Sequence, residues 1–183
     1  MSVYIALLRG INVGGQKIVL MEELRKSCAR LGFEGVETHV QSGNVVFRAA
    51  PRSAANLASG ISNAIQRDFG FPVTVVVRTA DELRAVAKGN PFLKERGIDP
   101  LRLYVTFLSE APSKEGLARL KALPAGSDRL SLKGREIYLH APNGYGRSKL
   151  ANTAVENALS ITATTRNWNT VDALLELTSK RPA

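Results

Sequence analysis

The sequence predicts an α+β fold made of two βαββαβ halves in tandem, each followed by an extra helix, and three observations carry that prediction. Apolar runs of strand length alternate with stretches of helical periodicity. Glycine or a capping residue punctuates most boundaries, and the order of elements begins again near residue 99. The expected subdomains are 1–98 and 99–183.

Val3 to Leu8 is apolar at both parities, as suits a strand covered on both faces. The glycine-rich stretch Arg9-Gly10-Ile11-Asn12-Val13-Gly14-Gly15 ends it. Leu20 or Met21, Leu24, Cys28 and Leu31 then recur at helical spacing, with Gly32 placed to stop the helix in a left-handed conformation. Gly35 to Gln41 alternates in polarity, Ser42-Gly43-Asn44 turns the chain with Gly43 at positive φ, and Val45-Val46-Phe47 returns as a hairpin partner. Leu57, Ile61, Ala64 or Ile65 and Phe69 mark a second helix ended by Gly70, and Val73 to Val77 form a fourth strand closed by Arg78. Thr79-Ala80-Asp81-Glu82 matches a capping box and opens a third helix to about Lys88. Gly89-Asn90-Pro91 stops it, and the stretch through Gly97-Ile98-Asp99-Pro100 reads as a linker.

The second half repeats the order. Leu103, Val105 and Phe107 begin a strand, Pro112-Ser113 opens a short helix through Leu117 and Leu120, and Leu130-Ser131-Leu132 turns at Lys133-Gly134 into Ile137-Tyr138-Leu139. Ser148 is expected to cap a helix carrying Leu150, Ala154, Ala158 and Leu159; Ile161 to Thr165 is a weak strand ended by Arg166, and a last helix starts near Asn169. A ferredoxin-like unit of this kind places its antiparallel strands in the order 4-1-3-2. That order brings Arg9 to Lys17 beside Ser42-Gly43-Asn44. It also brings Asn143 to Lys149 to the same sheet end as Arg166-Asn167-Trp168-Asn169, so each half gains one polar, glycine-rich cluster.

At 183 residues and 44% hydrophobic composition the chain can bury a core without cross-links. A single cysteine, Cys28, excludes an internal disulfide framework and fits a reducing, cytoplasmic setting. No apolar run approaches the roughly 20 residues that span a bilayer, and no basic segment leads an apolar one as in a secretory signal, so no membrane partner is expected. The net charge of +9 and a pI near 10.1 favour anionic partners, a nucleotide or nucleic acid among them. The lysines and arginines are dispersed, as they also are on an ordinary solvated surface.

Gly10 to Ile18 resembles a phosphate-binding loop only superficially, because Lys17 falls one place late and Ile18 stands where Ser or Thr would hold magnesium. A looser anion nest remains, with the amides of Asn12 to Gly15 and the cation of Arg9, against the reading that Gly14 and Gly15 serve only a tight turn. Ser42, Gly43 and Asn44 join that cluster by topology. Arg147, Ser148 and Lys149 at an expected helix start offer a hydroxyl and two cations to an oxyanion, against an ordinary cap with two solvated cations. Arg166 and Trp168, flanked by Asn167 and Asn169, suit stacking and edge recognition of a base, against plain packing of the indole in the core. His39 and His140 stand apart, Cys28 lies on an apolar helix face, and Glu22, Glu23, Asp81 and Glu82 occupy first helical turns, so no metal, cofactor or acid–base pair is expected. An RNA-recognition sheet is disfavoured, because Val45-Val46-Phe47-Arg48 carries one aromatic and Tyr4 stands alone on the first strand.

Taken together, Leu7 to Gly15, Gln41 to Phe47, Asn90-Pro91-Phe92 and Thr164 to Val171 resemble the signature of the bacterial family called domain of unknown function 1697. The resemblance covers nearly the whole chain. It implies a pair of ferredoxin-like subdomains and no particular activity, substrate or cofactor; His39 departs from an aromatic common at that position. The leading expectation is a binding module for a phosphate-bearing ligand. The alternatives are a small-molecule enzyme with an anionic substrate in a cleft between the halves, and a protein-interaction or oligomer-forming module.

Overall fold

A computed structural model describes residues 1–180. The first half runs β1 (Ser2–Leu8), α1 (Met21–Arg30), β2 (Glu34–His39), β3 (Asn44–Ala49), α2 (Ala54–Phe69), β4 (Val75–Thr79) and α3 (Ala80–Gly89). Two 3-10 turns, Pro91–Lys94 and Pro100–Arg102, lead to β5 (Leu103–Leu108), α4 (Lys114–Lys121), β6 (Arg129–Lys133), β7 (Glu136–His140), a 3-10 turn at Tyr145–Arg147, α5 (Asn152–Leu159), β8 (Ala163–Asn167) and α6 (Trp168–Ser179). The strands form two four-stranded antiparallel sheets in the orders β2-β3-β1-β4 and β6-β7-β5-β8. The chain divides into two compact units, Met1–Arg84 with the residues from Ala173 onward, and Ala85–Asp172, so α3 and α6 both straddle the division.

The pairings of the central strands β1 and β5 match, while β2 against β3 carries a register shift between Glu34 and Glu37 and β6 against β7 runs in continuous register. Ile5 of β1 lies opposite Val46 on one side and Arg78 on the other; Val105 of β5 lies opposite Tyr138 and Arg166. The bonds that close the sheet ends match as well: Leu8 N–H donates to the Gly43 carbonyl at 2.8 Å and Arg9 N–H to that of Thr74 at 2.9 Å, while Leu108 N–H donates to Arg135 and Ser109 N–H to Thr162, both at 2.9 Å. At the other end the hydroxyl of Tyr4 accepts the Arg52 amide at 3.2 Å, and the hydroxyl of Tyr104 accepts that of Tyr145 at 3.4 Å.

Each unit has its own core. In the first, Tyr4, Ala6 and Leu8 of β1 line up with Val45, Phe47, Val75 and Val77 against Leu24 and Cys28 of α1 and Leu57, Ile61 and Ile65 of α2. In the second, Leu108, Ile137 and Ala163 meet Leu120 of α4 and Val155, Ala158 and Leu159 of α5. Ile5 and Leu7 on the opposite face of β1 are buried too, as a run apolar at both parities requires.

Most stop and start signals are used as chemistry dictates. Gly32 and Gly70 end α1 and α2 at φ +81° and +82°, and the Thr79 hydroxyl and Glu82 carboxylate exchange bonds with each other's amides at 3.1 and 2.8 Å. Three readings are corrected. The fourth strand begins at Val75, because its partner β1 ends at Leu8, opposite Val75, which leaves Val73 and Thr74 beyond the paired register, where the Arg9 amide still bonds Thr74; the eighth begins at Ala163, opposite Leu108, for the same reason. Ser148 does not cap α5: its hydroxyl accepts the Leu150 amide at 3.0 Å, and the helix starts beyond it at Asn152. The stretch after α3 opens on a packed turn, where Asn90 accepts the Phe92 amide at 3.0 Å and both residues are buried, and runs exposed from Leu93 to Gly97.

Candidate functional site

The loop from Arg9 to Leu20 is a rooted arm. Ile11 and Val19 enter the first core, and between them the chain folds back on itself: Asn12 N–H donates to the Lys17 carbonyl at 3.1 Å and Val13 bridges Gln16. That fold needs left-handed backbone at Gly10, Asn12, Gly14, Gly15 and Lys17, conformations glycine adopts without strain and asparagine tolerates better than most residues. The Asn12 side chain holds the arm. Its carbonyl accepts Val19 N–H at 2.8 Å, and its amide donates to the carbonyls of Val19 at 2.9 Å and Gln41 at 2.8 Å.

This placement corrects the nest reading at Asn12. Both amide hydrogens, the side-chain carbonyl and the backbone N–H already have partners within the fold, so Asn12 builds the site and does not face a ligand. Asn44 is likewise buried, donating to the Ser42 hydroxyl at 2.8 Å and the His39 carbonyl at 3.2 Å. Gly43 is there for space. A β-carbon on it would lie 2.7 Å from Leu8 Cβ and 2.9 Å from Ile11 Cδ1, on a backbone at φ +76°. Gly14 and Gly15 sit at the exposed tip, where no atom would meet an added β-carbon. The loop and the hairpin thus meet, joined through Asn12 and Gln41.

Beside the arm lies an open cleft of about 710 Å³. It is lined by Arg9, Gly10 and Lys17 of the arm, by Ser59, Ser62 and Asn63 of α2, and by Pro72 to Val75. Lys17 Nζ is pinned over the cleft by donating to the Pro72 carbonyl at 3.0 Å, and the Ser62 hydroxyl donates to Val73 at 2.8 Å, leaving its lone pairs toward other donors. The lining therefore presents a guanidinium, an ammonium, hydroxyls and an amide. No carboxylate, imidazole or thiol is among these lining residues. Sequence reasoning found Arg9 and missed Ser59, Ser62 and Asn63. Their one signal is a polar stripe at helical spacing on α2, which looks like any solvated helix face until Pro72 is known to pass beside it.

In the second unit a smaller hollow of about 390 Å³ is lined by Ala125, Gly126, Ser127, Asp128, Asn143, Arg147 and Lys149. Asn143 donates to the Ser127 hydroxyl at 3.0 Å, and Asp128 sets a carboxylate against the two cations. With Ser148 turned to Leu150 and α5 starting at Asn152, no helix amides face this hollow, so the helix-start oxyanion reading of Arg147-Ser148-Lys149 falls. Trp168 is 4% exposed at the start of α6, so base stacking on it is corrected to packing. The Asn167 side chain accepts the Thr170 amide at 2.9 Å and serves as that helix's cap; Asn169 is exposed. Arg166 donates to the Thr164 hydroxyl and its neighbour Thr165's carbonyl, both at 2.9 Å, and Arg78 makes the same bond to Val77 at 3.0 Å. Desolvation pushes Arg166 down to about 10, opposed by the Tyr145 hydroxyl, which leaves the guanidinium charged at neutral pH.

Burial pushes the Cys28 thiol up to about 12 and, with the nearby Glu136 carboxylate, holds the Tyr138 phenol at about 12, so neither is ionised at neutral pH. Among the described residues no cluster of three or more His, Cys, Asp or Glu is arranged to hold a metal ion, and no helix is long and apolar enough to cross a membrane.

An α+β protein of two four-stranded antiparallel sheets, with a basic cleft at one sheet end, is the class these features define. The chain belongs to the family described as Protein of unknown function (DUF1697), whose model matches residues 1–138. The structure of the conserved bacterial protein SP0830 from Streptococcus pneumoniae is similar, with a TM-score of 0.75 and 24% identity over 96% of this chain and 97% of that one. No curated protein matches the chain.

Proposed function

We propose that this protein binds a phosphate-bearing ligand, a nucleotide or a segment of nucleic acid, in the cleft between the glycine arm and α2. The observation that carries the reading is the lining: Arg9 and Lys17 share with Ser59, Ser62 and Asn63 a space of about 710 Å³, roomy enough for a nucleotide. Charge-assisted bonds from a guanidinium and an ammonium are the strong contacts a phosphate seeks, and a hydroxyl and an amide fix its orientation. The positive net charge steers an anion toward such a site. Gly14 and Gly15 turn the exposed tip of the arm and do not line the cleft; Asn12, Ser42, Gly43 and Asn44 hold the arm's base. We place binding ahead of catalysis because the lining offers groups that hold an anion and none that shuttles a proton near neutral pH.

Titration calorimetry with nucleotides and short oligonucleotides at several salt concentrations tests this. Affinity should fall as salt rises, and Arg9→Ala and Lys17→Ala should each weaken binding about tenfold, reducing the salt slope by about 1 per cation on an oligonucleotide. Salt-independent binding, or affinity unchanged in the double variant, sinks it.

We also read each half as a ferredoxin-like subdomain, 1–98 and 99–183, descended from one duplicated unit. The matched pairs around Ile5 and Val105 and the matched tyrosines Tyr4 and Tyr104 support that reading. A cytoplasmic location fits the single, protonated Cys28.

A further inference from the structure

The arm beside the cleft presents something an anion site does not need. Val13 is 67% exposed, Ile18 55%, Leu20 65% and Val40 55%. Each is a chain neighbour of Asn12 or of a residue that Asn12 bonds. Val13 follows Asn12, Ile18 and Leu20 flank Val19, whose N–H and carbonyl both bond Asn12, and Val40 precedes Gln41, whose carbonyl accepts the Asn12 amide. Alternation turns Ile18 and Leu20 outward while Val19 between them is buried. Val40 holds its exposed position at φ +49°, a strained conformation for a β-branched residue. Pinned backbone and outward aliphatic side chains describe a surface prepared for apolar contact.

We propose that this arm docks the protein on an anionic phospholipid surface, with Val13, Ile18, Leu20 and Val40 entering the acyl boundary and Arg9 and Lys17 meeting headgroup phosphates. The phosphate part rests on the cleft reading above; the apolar part does not. Charge selects the occupant. No Asp or Glu lies between Arg9 and Leu20 or between Val40 and Val45, and the carboxylates just beyond Leu20, Glu22 and Glu23, are paired with Lys26, so the patch is apolar and basic and suits a surface with both apolar and anionic character. Nucleic acid is less suited, because the four side chains are aliphatic and bases stack on aromatics. The expectation of no membrane partner came from the lack of a spanning run, and peripheral docking requires none.

The test sediments the full chain with vesicles of phosphatidylcholine alone and of phosphatidylcholine mixed equally with phosphatidylglycerol. Binding should be confined to the anionic vesicles, weaken with salt and fall about tenfold or more in the double variant Val13→Ser, Ile18→Ser, which should keep the parent affinity for a soluble nucleotide. Val13→Trp should bind the same vesicles more tightly and shift indole emission to the blue. Absence of sedimentation, or equal sedimentation of the double variant, overturns the proposal. So does self-association that the double variant abolishes, which gives the arm to a second copy, or a loss of oligonucleotide affinity in that variant, which gives it to nucleic acid. Vesicle binding that depends on Val13 and Ile18 in a chain that binds no nucleotide supports docking and retires the cleft reading instead.

Discussion

The two halves share a ladder and differ in which sheet end is elaborated. In the first, the connection from strand to helix at the Leu8 end runs from Arg9 to Leu20; the counterpart in the second is only Ser109 to Ser113, where Ser113 caps α4 directly by accepting the Gly116 amide at 3.0 Å. At the opposite end the lengths reverse. Ala50 to Ser53 suffices between β3 and α2, whereas Ala141 to Ala151 separates β7 from α5. Each elaborated loop lines a basic hollow, and neither compact one lines the cleft or the hollow of its own unit. The compact version proves that the ladder closes without the arm, so what the arm adds is not required by the topology.

Glycine gives the sharpest way to break the comparison. In the first hairpin a β-carbon on Gly43 would meet Leu8 and Ile11 at the base of the arm, while in the second Gly134 at φ +59° has only the Glu136 carboxylate nearby, 3.9 Å from an added β-carbon. Gly43→Ala combines left-handed strain with overpacking and should cost about 3 kcal/mol; Gly134→Ala carries the strain alone and should cost about 1 kcal/mol. Chemical denaturation measures both. Equal costs would mean that the Leu8–Ile11–Gly43 contact is not what holds the arm's base.

Next in size is Asn12→Ala, which has no counterpart in the second half. Losing three side-chain bonds to partly buried backbone should cost about 2 kcal/mol and raise amide exchange from Val13 to Leu20 while leaving Leu108 to Ser113 unchanged. An arm that stays protected without Asn12 would show that Ile11 and Val19 alone fix it.

Those residues also mark how far the sequence could be read. The strands, the helices and most of their ends were legible because each is a local signal: Gly32 and Gly70 end helices, Thr79 and Glu82 begin one, and Val3 to Leu8 declares burial on both faces. The meeting of loop and hairpin followed from strand order. What was not legible is the aim of each polar group. Asn12 and Asn44 look like ligand-facing amides in sequence and prove to be internal clamps, because an unpaired buried amide is costly and folding satisfies it first. Ser148 failed as a cap because it ends a 3-10 turn at Tyr145–Arg147 and its hydroxyl goes to the Leu150 amide before α5 starts at Asn152; such turns leave little periodicity to read. Ser59 and Asn63 were passed over for the opposite reason, since exposed polar residues on a helix carry no signal of what lies across from them.

A smaller effect compares the two tyrosines. Tyr4→Phe and Tyr104→Phe each remove a hydroxyl that accepts one loop amide, from Arg52 and Tyr145, and each should cost about 1 kcal/mol. A near-zero cost for Tyr104→Phe beside a measurable one for Tyr4→Phe would show that the longer loop after β7 carries its own order, through contacts such as the bond from the Asn152 amide to the Tyr145 hydroxyl at 2.8 Å.

The finest distinction is in how each half ties its two sheet-covering helices together. Between α1 and α2 the tie is ionic: the Asp68 carboxylate accepts from Arg67 at 2.8 Å, from the buried Ser27 hydroxyl and from Arg30 at 2.6 Å, and these partners, Arg67 first, hold its carboxyl well below the usual range. Between α4 and α5 the tie is an arginine on a carbonyl, Arg119 to Ala158 at 2.7 Å, with no group that titrates in acid. A carboxyl depressed in the folded state stabilises above the unfolded value of about 3.9 and loses that contribution as pH falls through the folded value. Asp68→Asn should therefore lower the melting temperature at neutral pH, and the gap between parent and variant should close as the solution is acidified. Amide exchange should show the same closing gap in α1 and α2 and none in α4 and α5. A gap that stays constant with pH would assign the role of Asp68 to neutral hydrogen bonding, and the two ties would then differ in geometry alone.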